Sequence, residues 1–218
     1  MLKTHNITKD FLSGNETIKA VNNISLSVPR GEMLAIMGPS GSGKSTLLKI
    51  CSGILKPSSG TVIIDDMNLE NMNAEKRQEF RRNNIGFIFQ QYNLLPTLTV
   101  RENIAIPLLI KNVKPNTKII DELAESVGII SKLDRFPVEL SGGEQQRAAI
   151  ARALINTPKC IFADEPTGNL DEKSTKTIMS ILHNINESGS TIIIVTHDSE
   201  VSSYCSRVVK LRDGKLVE

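Results

Sequence analysis

The chain has 218 residues, with 26 Lys and Arg against 24 Asp and Glu, a formal net charge of +2. That length carries one large domain, or a domain with a sizeable insertion, around a buried core. Near-balanced charge excludes attachment to nucleic acid through an overall basic field, so no nucleic-acid partner is expected. Aromatic residues make up only 4%, six Phe and two Tyr with no Trp, so the core must be aliphatic. Cys51, Cys160 and Cys205 form no CxxC and no Cys/His cluster and read as reduced thiols. The N-terminal segment has no apolar run of a secretory signal. No stretch approaches the ~20 apolar residues that span a bilayer.

The spacing predicts β-rich segments over residues 2–11 and 20–28, separated by the polar turn SGNET. A compact apolar run, Met33–Met37, lies between Arg30-Gly31 and Gly38-Pro39 and predicts a buried parallel strand. Residues 44–53 have helical apolar spacing and end in Gly53. TVIIDD predicts a strand and NAEKRQEFRRN a charged helix. From about Gln91 to Pro158 the predicted segments are helical, over residues 100–112, 116–128 and 142–156. Short buried strands return at CIFAD and TIIIVTH, separated by a helix over 172–188, and Asp213-Gly214 marks a final hairpin. The expected fold is α/β, a parallel-sheet domain carrying a helical insert.

Three motifs carry chemistry. GPSGSGKST, comprising Gly38, Pro39, Ser40, Gly41, Ser42, Gly43, Lys44, Ser45 and Thr46, follows a buried strand and opens a helix. The glycines let backbone N–H groups approach phosphate oxygens, and the helix start favours the anion. Lys44 can reach the β- and γ-phosphates, and Ser45 can bind Mg2+. CIFADEP delivers Asp164 and Glu165 at a strand end, where ligands bind in open α/β sheets. Asp164 suits Mg2+, and Glu165 suits a water aimed at the γ-phosphate. LSGGEQQR places Ser141, Gly142 and Gly143 before a helix, a second anion site.

These motifs, in this order and with ADEPTGNLD, resemble the nucleotide-binding subunit of an ATP-binding-cassette (ABC) transporter over essentially the whole chain. The resemblance implies a P-loop NTPase (RecA-like) core with an N-terminal antiparallel β subdomain and an inserted α-helical subdomain. Residues 1–90 and 159–218 would form the catalytic core with its β subdomain, and 91–158 the helical signature subdomain, within one ABC ATPase domain spanning 1–218. ATP and Mg2+ are the implied cofactors. Gln90 matches the glutamine that contacts Mg2+ and the water. Ser141, Gly142, Gly143 and Glu144 match the signature that binds ATP held by a second copy, and Asp171 the loop linking the two sites. His197 matches the histidine that contacts the γ-phosphate, and Phe11 the aromatic that stacks on adenine. Glu144 stands where many relatives have Gln, and GNLD replaces Ser-Ala-Leu-Asp; neither change touches the chemical groups.

The implied partners are a second copy of the chain, closing around two ATP, and a separate integral-membrane permease. The implied location is the cytoplasmic face of the membrane. Tyr92, Leu94, Leu95, Pro96, Leu98 and Val100 are too apolar for an ordinary surface loop. The region Gln90 to Val100 would border the groove for the permease. Packing within the helical insert is the alternative, and both can hold, divided among these residues. FIFQQYNLLPTLTVRENI with ADEPTGNLD most resembles the branch of lipoprotein-release, macrolide-efflux and antimicrobial-peptide-resistance ATPases and the cell-division ABC ATPase. Export or resistance involving antimicrobial peptides or macrolides is the favoured reading. Lipoprotein release or cell division, an importer ATPase and a soluble ABC ATPase are the alternatives.

Overall fold

The computed structural model describes residues 1–14 and 16–217. The chain opens with the antiparallel pair β1 (Leu2–Ser13) and β2 (Glu16–Val28), then β3 (Met33–Met37) and α1 (Lys44–Cys51). Strands β4 (Ser59–Ile64) and β5 (Met67–Asn68), helix α2 (Ala74–Asn84) and strand β6 (Ile85–Ile88) follow. Next come α3 (Val100–Ile110), α4 (Thr117–Ser126) and α5 (Gly142–Leu154), then β7 (Cys160–Asp164) and α6 (Glu172–Glu187). The chain ends through β8 (Thr191–Thr196), α7 (Ser199–Ser203), β9 (Arg207–Arg212) and β10 (Lys215–Val217).

The strands form two sheets. One is antiparallel, in the order β2-β1-β4-β5; the other runs β10-β9-β3-β8-β7-β6 and is parallel except for the edge strand β10. Every residue of β7 and β8 is buried. Such continuous apolar strands need cover on both faces, and the pleat sends alternate residues to two cores. Ile161, Ala163, Ile192 and Ile194 enter a core with residues of α3, α4, α5 and α6. Cys160, Phe162, Ile193 and Val195 enter a second core with α1 and strands β1, β2 and β4. The parallel sheet is thus the layer between the helices on one side and α1 with the antiparallel sheet on the other.

Local chemistry sets the helix starts. Thr99 and Ser141 form capping boxes with Glu102 and Glu144 at the N-termini of α3 and α5. Asp171 caps α6 through the Ser174 N–H. The strand expected over TVIIDD stops at Ile64, because Asp65 and Asp66 are left-handed, with φ of 48° and 65°. Strand β6 ends at Ile88, two residues before Gln90. All three cysteines are free thiols, Cys51 and Cys160 fully enclosed. Among the described residues no helix is long and apolar enough to cross a membrane.

Phe162 is the bulkiest fully buried side chain, in a central strand. Phe162→Ala is expected to cost roughly 3–5 kcal/mol. A urea unfolding curve checks this through a lower midpoint at unchanged slope.

Candidate active site

The site starts at the C-terminal end of β3. Gly38–Gly43 turn the chain so that α1 begins at Lys44, and Gly43 at its N-cap has φ 99°. A Cβ at Gly43 would stand 2.1 Å from the Ala20 carbonyl oxygen on β2. Both the dihedral and the contact demand glycine there. A Cβ at Gly38 would likewise meet the Leu211 carbonyl oxygen at 2.1 Å. The loop is therefore wedged between the first hairpin and β9. The last hairpin turn supports it further, since Gly214 N–H donates to Ser42 O at 3.0 Å and Asn22 N–H to Gly214 O at 2.8 Å.

Lys44 is only 6% exposed. Its ammonium donates to the carbonyls of Gly38 at 2.8 Å and Pro39 at 2.9 Å. Ser45, next on α1, donates its hydroxyl to Asp164 Oδ1 at 2.6 Å. This bond joins the helix after β3 to the end of β7. Glu165 follows in a left-handed conformation, φ 48°, with its N–H on Val195 O at 3.0 Å. That bend turns its carboxylate toward the end of β8, where Glu165 Oε2 meets His197 Nδ1 at 2.8 Å.

These groups face one cleft of about 640 Å³. Pro39, Ser40, Gly41 and Gly43 through Thr46 line it, together with Gln90, Glu165 and His197. Ala20 also lines it, a residue the sequence pattern did not single out. Asp164 reaches the cleft through Ser45. Gly38 and Ser42 support the loop from behind, with Ser42 buried.

The remaining candidates lie elsewhere. Phe11 is on β1, 41% exposed, outside the cleft lining, with the Lys9 ammonium 5.2 Å from its ring centroid. Ser141 to Glu144 form the start of α5 and do not line the cleft. Glu144 accepts from the Ser141 N–H at 2.9 Å and pairs with Lys132 at 3.1 Å. The Ser141 backbone bond, ahead of the lysine, holds its carboxyl below the usual range. The Asp171 carboxyl is lowered by its Ser174 backbone bond. The apolar stretch after Gln90 divides: Val100 is in the core, Leu94 packs against it, and Leu95 is 49% exposed.

The cleft suits a polyphosphate. A loop with no room for a Cβ at Gly38 or Gly43 is followed by an enclosed lysine and the N-terminus of α1. Ser45 and Asp164 offer hard oxygen ligands of the kind Mg2+ takes. Among the described residues no group of three or more His, Cys, Asp or Glu could hold a metal.

Fold and cleft together define a P-loop nucleoside triphosphatase. Residues 21–168 match the family described as "ABC transporter". An uncharacterized ABC transporter ATP-binding protein, MJ1508 of Methanocaldococcus jannaschii, is 47% identical over 100% of this chain and 98% of its own length. The macrolide export ATP-binding/permease protein MacB of Shigella flexneri is 41% identical over 100% of this chain. The chain spans only 34% of that protein's length. A solved dimeric, post-hydrolysis structure of the ATP-binding cassette MJ0796 bound to ADP and Pi superposes with a TM-score of 0.93. It is 41% identical and is matched over 100% of this chain and 97% of its own, and MJ0796 is also from Methanocaldococcus jannaschii. The chain belongs to the ABC transporter family. It is an ABC ATPase that binds ATP with Mg2+.

Gly43→Ala is expected to abolish nucleotide binding, because the added methyl strikes the Ala20 carbonyl at a dihedral that alanine disfavours. Titration with a fluorescent ATP analogue checks it, with circular dichroism verifying that the variant is folded.

Proposed function

We propose that this chain closes with a second copy around two Mg-ATP and that the cycle of closure and hydrolysis drives a membrane permease. The observation that carries this is the Glu165–His197 pair, 2.8 Å apart in the cleft that also holds Lys44 and Gln90. A carboxylate and an imidazole beside a phosphate cradle are the groups that hydrolysis of a phosphoanhydride asks for.

In this reading Glu165 takes a proton from the attacking water as its oxygen bonds to the γ-phosphorus. The bond to the β,γ-bridging oxygen breaks, giving ADP and phosphate. Lys44 and His197 stabilise charge on the transferred group, and Gln90 orients the water. Ser45, Asp164 and Gln90 would hold Mg2+, which when bound neutralises charge on the phosphate oxygens. Phe11 would stack on adenine; this needs Lys9 to leave the ring face or to share it with the base. Residues 91–158 act as a helical signature subdomain, with Ser141, Gly142, Gly143 and Glu144 meeting the partner copy's ATP. Asp171 links the two sites. The capped start of α5 lies outside its own chain's cleft, which supports this division.

The permease would dock near Gln90 to Val100, where Leu95 is exposed, and hold the chain at the cytoplasmic face of the membrane. The role would be export or resistance involving macrolides or antimicrobial peptides; three matched macrolide export ATP-binding/permease proteins support the macrolide reading.

Glu165→Gln keeps the side chain's shape and removes the base. It is expected to bind ATP, to lose turnover by on the order of 10²-fold or more, and to accumulate as dimer. Light scattering with and without ATP measures the dimer, and unchanged turnover would remove Glu165 from its role.

A further inference from the structure

The second half of α5 carries a cation that the phosphate chemistry does not use. Arg152 is half-buried, and burial lowers its pKa from the usual guanidinium value. Among the described residues no carboxylate pairs with it within 4.0 Å. Its guanidinium instead donates to two successive backbone carbonyls, Tyr92 O at 2.6 Å and Asn93 O.

Both acceptor residues are left-handed, with φ of 57° at Tyr92 and 51° at Asn93. A tyrosine in that region is uncommon and unfavourable. The turn is also tight: Tyr92 N–H donates to Phe89 O at 3.3 Å and Asn93 N–H to Gln91 O at 2.5 Å. Inside this turn's span lies Gln90, which lines the nucleotide cleft. The Gln90 carbonyl accepts from the Asn169 amide at 3.2 Å, so its backbone is held from the Glu165 side as well. On the outer side, Arg152 lines a second cavity, of about 190 Å³, with Phe87, Phe89, Asn93 and Pro107.

We propose that Arg152 is a positioning residue for ATP hydrolysis: its fork holds the Tyr92–Asn93 turn left-handed and thereby sets where the Gln90 side chain stands in the cleft. Arg152 lines no part of that cleft. A planar guanidinium can hold two neighbouring carbonyls at once, whereas an ammonium is a single point of charge. Arg152→Lys therefore keeps the charge and loses the fork. The inference rests on Gln90 acting at the Mg2+ and the water, as proposed above.

The test compares wild type, Arg152→Lys, Gln90→Ala and the double variant as full chains at one fixed protein concentration. Steady-state ATPase rates give kcat and KM for ATP, and thermal melts report folding. Arg152→Lys is expected to lower kcat by about tenfold with KM for ATP unchanged, the pattern of an interaction felt only in the transition state. The double variant should be no slower than Gln90→Ala alone, since both changes act through one side chain. Asn93→Gly in the Arg152→Lys background should recover part of kcat, because glycine adopts the left-handed turn unaided. A normal kcat in Arg152→Lys, or losses that multiply in the double variant, overturns the inference while leaving Gln90's role standing. An unchanged kcat in Gln90→Ala removes the Gln90 assignment and this inference with it. If Arg152→Lys melts below the assay temperature, Asn93→Gly decides: failure to restore both melting and kcat overturns the proposal.

Discussion

An almost fully enclosed lysine, with no carboxylate beside it among the described residues, is the constraint on which the site depends. Burying a charge is costly unless it is paired or hydrogen-bonded. Lys44 meets the carbonyls of Gly38 and Pro39 and, among the described residues, no carboxylate within 4.0 Å. That arrangement is possible only because the loop is bent back over the start of α1, which in turn requires glycine at position 43 under the Ala20 carbonyl. The bend depends on the two hairpins that wedge it, one from each end of the chain. The result is a rigid cationic cradle whose natural counter-charge is a phosphate chain.

Once the cradle is fixed, parallel strand order brings the chemistry to it. β8 lies beside β3 and β7 beside β8, all parallel, with their C-terminal ends at the same edge. Asp164 and Glu165 are therefore delivered to the loop by the end of β7 and His197 by the end of β8, the position where open α/β sheets bind ligands. The bond from Ser45 to Asp164 fastens the helix to the sheet at that edge. Helix α5 adds a mechanical element. Its first turn carries the signature residues, Gln146 donates to Pro166 O at 2.7 Å beside Glu165, and Arg152 grips the turn after Gln90. One helix thus touches the loops that carry two of the cleft's polar side chains.

Much of this was legible in the sequence, for physical reasons. Met33–Met37, CIFAD and TIIIVT are unbroken apolar runs, which only strands covered on both faces require. Gly41 and Gly43 mark left-handed positions that other residues resist. Other features had no local signal. Helix α7 has five residues, too few to display a period, although Asp198 caps it. The position of Phe11 relative to the cleft depends on how the first hairpin lies, which no spacing within the hairpin encodes. Arg152 reads as one more solvated charge on a helix. Its acceptors are 59 and 60 residues away in the chain and are backbone atoms, which carry no residue identity.

In the proposed cycle each catalytic site is completed by a second copy of the chain. The specific ATPase activity over a hundredfold dilution series at saturating Mg-ATP measures that dependence. Activity per chain that falls on dilution, and recovers on reconcentration, is the expected result. Constant activity per chain, with light scattering showing monomer throughout, would contradict it.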